Sequence, residues 1–313
     1  MPPASRIADW RGALTALAAL ETGLLRGFVD GATPSEAARA AGLDVRASRI
    51  VAAALTAAGH LAPTDNGALR LTAGGAALLD PSHGDPAGEL HLEARAMRSH
   101  LALAEALRTG RAQDDVSGGD AATRERFMRA MRSVAAPRVS ASVAAVGPPW
   151  GVGRLLDVGG APGSYARAFA AIGWDVTVLD LPETLAIGEV DLRAAGVACV
   201  AGDATEALPP GPWSVVYLGN VVHLFDPPTA AALIARAAVA LAPDGILALQ
   251  EVLGDLSPQG PGFGVMMLLS TQGGDAYPEA DYRAWMAEAR CPLERRIAIE
   301  DGWHHLLIGR PAP

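Results

Sequence analysis

The 313-residue chain contains no lysine, so all 25 of its basic residues are arginine. Lysine is thereby excluded as a nucleophile, Schiff-base former or general base. Cysteine is almost as scarce: Cys199 and Cys291 stand far apart with no CxxC spacing. A disulfide framework and a cysteine-held metal are therefore not expected, and two reduced thiols in a cytosolic protein are. Positive charge is in deficit, with a formal net charge of −9, which argues against nucleic acid as the main partner because phosphate affinity needs a basic face. Long apolar runs are missing too. The longest uncharged stretch of interest, Leu256 to Gly274, holds Pro258, Pro261 and several glycines and cannot form a spanning helix. Met1 to Trp10 carries Arg6 and Asp9 with no apolar core, so no secretory leader is expected there. With 50% hydrophobic and 19% charged residues, the chain is long enough for two folded domains and too apolar for disorder.

The N-terminal part reads as alanine-rich helices. Thr33-Pro34-Ser35-Glu36 combines a capping threonine, a first-turn proline and a glutamate three residues on. The predicted helices are Ser35–Ala41, stopped by Gly42, and Val45–Ala58, stopped by Gly59. Two short strands around Asp65-Asn66-Gly67 follow, which completes a winged-helix pattern. Its basic residues (Arg39, Arg46, Arg49, Arg70) are balanced by Glu36, Asp44, Asp65 and Asp80. A packing or dimerisation module is therefore expected rather than a DNA reader. Glu89 to Val146 is again helical, interrupted over Asp114–Asp120.

Gly147-Pro148-Pro149-Trp150-Gly151 marks a boundary, and the rhythm then changes. Strands are predicted at 154–158, 175–179, 197–201, 214–218 and 245–249, with helices at 164–172, 183–195 and 229–241. This alternation predicts a Rossmann-like α/β domain, a mostly parallel seven-stranded sheet closed by an antiparallel hairpin over 293–309. The expected division is 1–85 for the winged helix, 86–146 for linking helices that contribute to a substrate pocket, and 147–313 for the α/β domain. In the final strand, His304-His305 is expected to alternate between surface and interior.

In such sheets the ligand sits beyond the carboxyl ends of the strands. The first strand ends in Asp157-Val158-Gly159-Gly160-Ala161-Pro162-Gly163-Ser164. A nicotinamide dinucleotide fingerprint from Gly159 needs glycine at 161 and 164, where Ala161 and Ser164 stand. The acid before the first glycine favours a ligand with a cationic amino end. Asp180, 21 residues after Gly159, ends the second strand where a carboxylate can bind ribose hydroxyls. Asp203 follows the third strand, placed for an adenine amino group. A nucleoside bearing an amino acid, S-adenosylmethionine, satisfies all three. The expected contacts are Asp157, Gly159, Gly163, Asp180, Leu181, Asp203, Ala204 and Asn220. The fourth and fifth strands lead to His223 and Glu251 at one sheet edge, where an imidazole oriented by a carboxylate suits proton removal from an acidic hydroxyl.

On Leu155-Leu156-Asp157-Val158-Gly159-Gly160, Leu179-Asp180-Leu181-Pro182-Glu183, Gly202-Asp203, Val222-His223, Gly273-Gly274-Asp275-Ala276-Tyr277 and Phe127-Met128-Arg129-Ala130-Met131, the chain resembles the winged-helix, plant caffeate-type O-methyltransferases and their bacterial natural-product relatives. The resemblance runs from about Ala18 to the C-terminus. It implies a homodimer joined through the N-terminal domain, a small-molecule acceptor with a phenolic or enolic hydroxyl, His223 as general base and Glu251 as an orienting carboxylate. It also implies Phe127, Met131 and Met267 as acceptor contacts, with neither metal nor membrane. Departures from the pattern are Ala161 in the glycine loop, Gly219 where a lysine is often found, Leu224 after the histidine, and Ala276 where a second carboxylate would stand. The alternatives are a non-methylating reaction on the same cofactor site and a winged-helix transcriptional regulator.

Overall fold

In the computed structural model, which describes residues 10–80, 86–114, 121–299 and 302–312, the local signals of the N-terminal third become a winged helix. Its helices are α1 (Trp10–Glu21), α2 (Pro34–Ala40) and α3 (Val45–Ala57), followed by strands β1 (Leu61–Pro63) and β2 (Leu69–Leu71) and the short α4 (Ala73–Ala77). Thr33 and Glu36 form a reciprocal capping box at α2, and Asp44 accepts from the Ala47 amide at 2.8 Å to start α3. Caps of this kind contribute about 1 kcal/mol each. β1 and β2 pair antiparallel with Leu61 opposite Leu71. Leu25, Phe28, Ala52, Leu55 and Leu61 form the core beneath them.

Three helices follow: α5 (Pro86–Leu101), α6 (Leu103–Thr109) and α7 (Ala121–Val146). Two compact units emerge, one running to Arg98 and taking in Arg129–Val134, the other comprising Ser99–Met128 and everything from Ala135 onward. The division thus runs through α5 and α7. The Met1–Asp9 stretch, most of the expected 114–120 interruption and the Glu300-Asp301 turn lie outside the described residues.

The second unit holds β3 (Arg154–Val158), α8 (Ser164–Ala171), β4 (Asp175–Asp180), α9 (Pro182–Ala194), β5 (Ala198–Ala201), β6 (Trp213–Gly219), α10 (Pro227–Val239) and β7 (Leu241–Val252). It ends with α11 (Gly260–Ser270), α12 (Glu279–Glu288), β8 (Leu293–Ala298) and β9 (His304–Gly309). The sheet order is β5-β4-β3-β6-β7-β9-β8. Every pair from β5 to β7 is parallel, and β9 is antiparallel to both its neighbours. From β3 the chain builds outward to β5 on one side, then returns to build β6 and β7 on the other. That reversal opens a crevice at the carboxyl end of β3. Apolar cores line both faces of the sheet.

Two local expectations change. The helix expected over 229–241 stops at Val239, because Leu241 already pairs with Trp213 as the start of β7. His304 and His305 are both buried instead of alternating, because β9 is inserted between β7 and β8 and covered on both sides. Among the described residues no helix is long and apolar enough to cross a membrane.

Candidate active site

Asp157 lies in β3 between Leu156 and Val158, and it is only 2% exposed. Gly160 makes room for it: a methyl on that residue would stand 2.5 Å from the carboxylate carbon. The Ala166 amide, in the first turn of α8, donates to the carboxylate, yet burial and the charge of Asp180 push Asp157 up to about 8. Its Oδ2 is buried without a hydrogen-bond partner. The loop above it needs its glycines. Gly159 has φ 67° and Gly163 φ 94°. Side chains there would strike Val221 at 2.7 Å and Leu192 at 2.4 Å, and left-handed backbone is costly for any other residue.

Asp180 closes the loop from the neighbouring strand. Its Oδ2 accepts from the Ala161 amide at 3.0 Å and its Oδ1 from the Leu181 amide at 2.8 Å. Burial raises its carboxyl to about 6, against the pull of those two amides. Leu181 is 38% exposed beside it. Asp203 is exposed and accepts from the Thr205 amide and hydroxyl with one oxygen, both at 2.7 Å. Ala204 packs against the sheet core. Asn220, at φ 61°, turns the chain out of β6 with its amide bonded to the Gln250 carbonyl at 2.8 Å.

Along this edge the chain reaches Val222–Leu224, one short helical turn. Its His223 side chain meets Glu251 from β7, Nδ1 to Oε2 at 2.5 Å. Both residues are buried, Glu251 completely. The other oxygen of Glu251 accepts from the Val221 and Val222 amides at 3.2 and 2.8 Å. The carboxylate is therefore locked by the very turn that carries the histidine. Where Oε2 accepts, Nδ1 is the donor, and a neutral ring in that tautomer has its lone pair on Nε2.

Phe263 on α11 stands against the imidazole, ring centroids 4.9 Å apart and planes at 89°. Met267, one turn further along α11, is 5% exposed. Phe127 is half-buried within the second unit, and Met131 is half-buried in the segment of α7 that belongs to the first. Asp275, next to the carboxylate-free Ala276, binds His223 only through the backbone, its amide donating to the His223 carbonyl at 3.1 Å. Its own carboxylate accepts from the Ala276 amide at 2.7 Å.

Sequence reasoning missed Phe263, and it missed a buried network behind the loop. Gln250 accepts from Tyr217 at 2.9 Å and from Ser142, and donates to Tyr165 at 2.7 Å. Tyr165 sits at the start of α8, directly after the glycine turn. A lone glutamine in the apolar run of β7 was the available signal.

The family described as an O-methyltransferase domain matches residues 103–290, more than half of the chain. The chain belongs to that family. This O-methyltransferase is 29% identical over 307 residues to the 3-hydroxy-5-methyl-1-naphthoate 3-O-methyltransferase of Streptomyces sahachiroi, covering 90% of this chain and 87% of the relative. It is likewise 29% identical over 240 residues to the mitomycin biosynthesis 6-O-methyltransferase of Streptomyces lavendulae, covering 70% and 68%. Among solved structures, an O-methyltransferase family protein from Burkholderia thailandensis superposes with a TM-score of 0.84 at 21% identity, covering 97% and 96% of the two chains. That likeness speaks to the fold.

The enzyme is a methyltransferase dependent on S-adenosylmethionine, and the residues at the β3 crevice fit that cofactor. The buried Asp157 oxygen lacks a partner. Two carboxylates held up by burial are stabilised by a positive ligand.

Proposed function

We propose that this enzyme methylates a phenolic or enolic hydroxyl of a small natural product, with His223 as general base. The observation that carries the reading is the His223–Glu251 pair, buried and only 2.5 Å apart at the end of the sheet. When bound, S-adenosylmethionine supplies an electrophilic methyl group on a sulfonium. Asp157 is assigned to the cofactor's ammonium, Asp180 with Leu181 to its ribose, and Asp203 with Ala204 to adenine. Gly159, Gly163 and Asn220 give the backbone that follows it. His223 takes the acceptor proton at Nε2, and Glu251 holds the ring in that tautomer and balances the imidazolium that forms. Burial of the pair keeps water from competing for the lone pair. Phe127 and Met267, both of the second unit, are assigned to gripping an apolar acceptor, for which a thioether is well suited.

Similarity to enzymes named for naphthoate and mitomycin substrates supports a fused or substituted aromatic acceptor. Residues 1–85 are assigned to dimerisation, 86–146 to linking helices that contribute to the acceptor pocket, and 147–313 to cofactor binding and chemistry. We place the homodimer in the cytoplasm, consistent with two unpaired cysteines. The test is incubation with isotopically labelled S-adenosylmethionine and a panel of hydroxynaphthalenes. The expected product gains one CH2 carrying the label. Tight cofactor binding with no methylated product across the panel would instead favour the non-methylating reading.

A further inference from the structure

We propose that Phe263 is a positioning residue for His223, a second support that holds the imidazole from its side. The proposal rests on the reading of His223 as the base. Among the described residues the ring of His223 has a single side-chain hydrogen bond, from Nδ1 to Glu251. That bond acts at Nδ1, and Nε2 on the far side of the ring depends for its position on what packs against the ring plane. The backbone of the turn is well held, since the Asp275 amide binds the His223 carbonyl and a methyl on Gly274 would stand 2.2 Å from that oxygen. That restraint stops at the backbone.

Two positions beside the turn lend the ring no hydrogen bond among the described residues. Ala276 offers only a methyl group. The Asp275 carboxylate is turned to its neighbour's amide, and it stands where a methyl on Gly264 would lie 2.8 Å away. Phe263 remains, perpendicular to the imidazole at a centroid distance of 4.9 Å. A perpendicular ring pair has a preferred geometry and so resists rocking. A hydrocarbon ring also leaves Nε2 to the acceptor, because it forms no hydrogen bond with the lone pair.

α11 is built to deliver this contact. Any side chain at Gly260 would meet the carbonyls of Leu253 and Gly254 at 2.6 Å, and one at Gly264 would meet Asp275. These glycines lie four residues apart on one helical stripe, and Phe263 and Met267 occupy the adjacent stripe. The close glycine packing sets the height at which Phe263 reaches the imidazole.

The test uses the full-length enzyme without ligand. The Nδ1 proton shared with Glu251 is followed as a far-downfield proton resonance, assigned by its loss in Glu251→Gln. Phe263→Ala is expected to raise exchange of that proton with water roughly two- to tenfold. Phe263→Leu, which keeps apolar bulk without a planar ring, should fall between it and wild type. With 2-naphthol as acceptor, kcat falls in both variants while the KM for S-adenosylmethionine is unchanged. Wild-type exchange in either variant overturns the proposal, as does absence of the resonance from the wild type at low temperature. Failure of the base reading shows separately, as undiminished methyl transfer by His223→Ala.

Discussion

At the scale of single residues, the two aspartates at the β3 crevice, assigned here to the cationic cofactor, both ionise with difficulty in the folded protein. Asp157 is raised to about 8, first by burial and then by Asp180. An aspartate in the unfolded chain ionises near its ordinary value of 3.8. The folded protein therefore holds a proton the unfolded chain has lost, and folding becomes less favourable as pH rises between those values. The stabilisation is complete below about 3.8 and gone by about 8. Asp157→Asn should remove that dependence and raise the melting temperature at pH 8, by roughly 2–4 °C for each kcal/mol relieved. Differential scanning calorimetry checks this, and a lower melting temperature than wild type would contradict it. The same substitution should weaken S-adenosylhomocysteine and abolish the proton released on binding, measured by titration calorimetry in buffers of different ionisation enthalpy. Asp180→Ala should cost about 2–4 kcal/mol of cofactor affinity through lost charge-assisted hydrogen bonds. Unchanged affinity would remove Asp180 from the ribose site.

At the scale of elements, the parts legible in the sequence are those where local pattern and tertiary environment agree. β3, β4 and β6 are short apolar runs between turn residues, and their central positions hardly deviate from the expected spans. The Thr33 capping box was readable because all its atoms come from four consecutive residues. What was not legible depends on partners far along the chain. Insertion of β9 beside β7 pairs Glu251 with His305, and this buries a histidine pair that alternation alone would half expose. Ser142, Tyr165, Tyr217 and Gln250 come from four separate segments, so nothing local predicts that they share one buried network. The His223–Glu251 pair was accessible from strand order, whereas the Phe263 contact depends on how closely two glycines let α11 approach. The glycine turn gives the element-scale prediction. Gly163→Ala places a side chain in left-handed backbone and 2.4 Å from Leu192. It should destabilise the protein by more than about 1 kcal/mol and weaken cofactor binding. A denaturation midpoint equal to wild type would show that the loop tolerates a side chain.

At the scale of the whole molecule, Val29 and Ile50 are each 47% exposed in the N-terminal region assigned to dimerisation, apolar surface of the kind that subunit contacts cover. Sedimentation at micromolar concentration should show a dimer, and a monomer would contradict the assembly proposed here. The enzyme's turnover integrates every level, from the caps that fix the helices to the turn that locks Glu251 against His223. The central claim is that this turnover depends on a proton passing to His223. The most direct measurement is methyl transfer by His223→Ala under saturating cofactor, beside cofactor affinity by calorimetry. The account predicts a loss in kcat of roughly 10²–10⁴-fold with affinity for S-adenosylhomocysteine unchanged. Full methyl transfer by His223→Ala would contradict it.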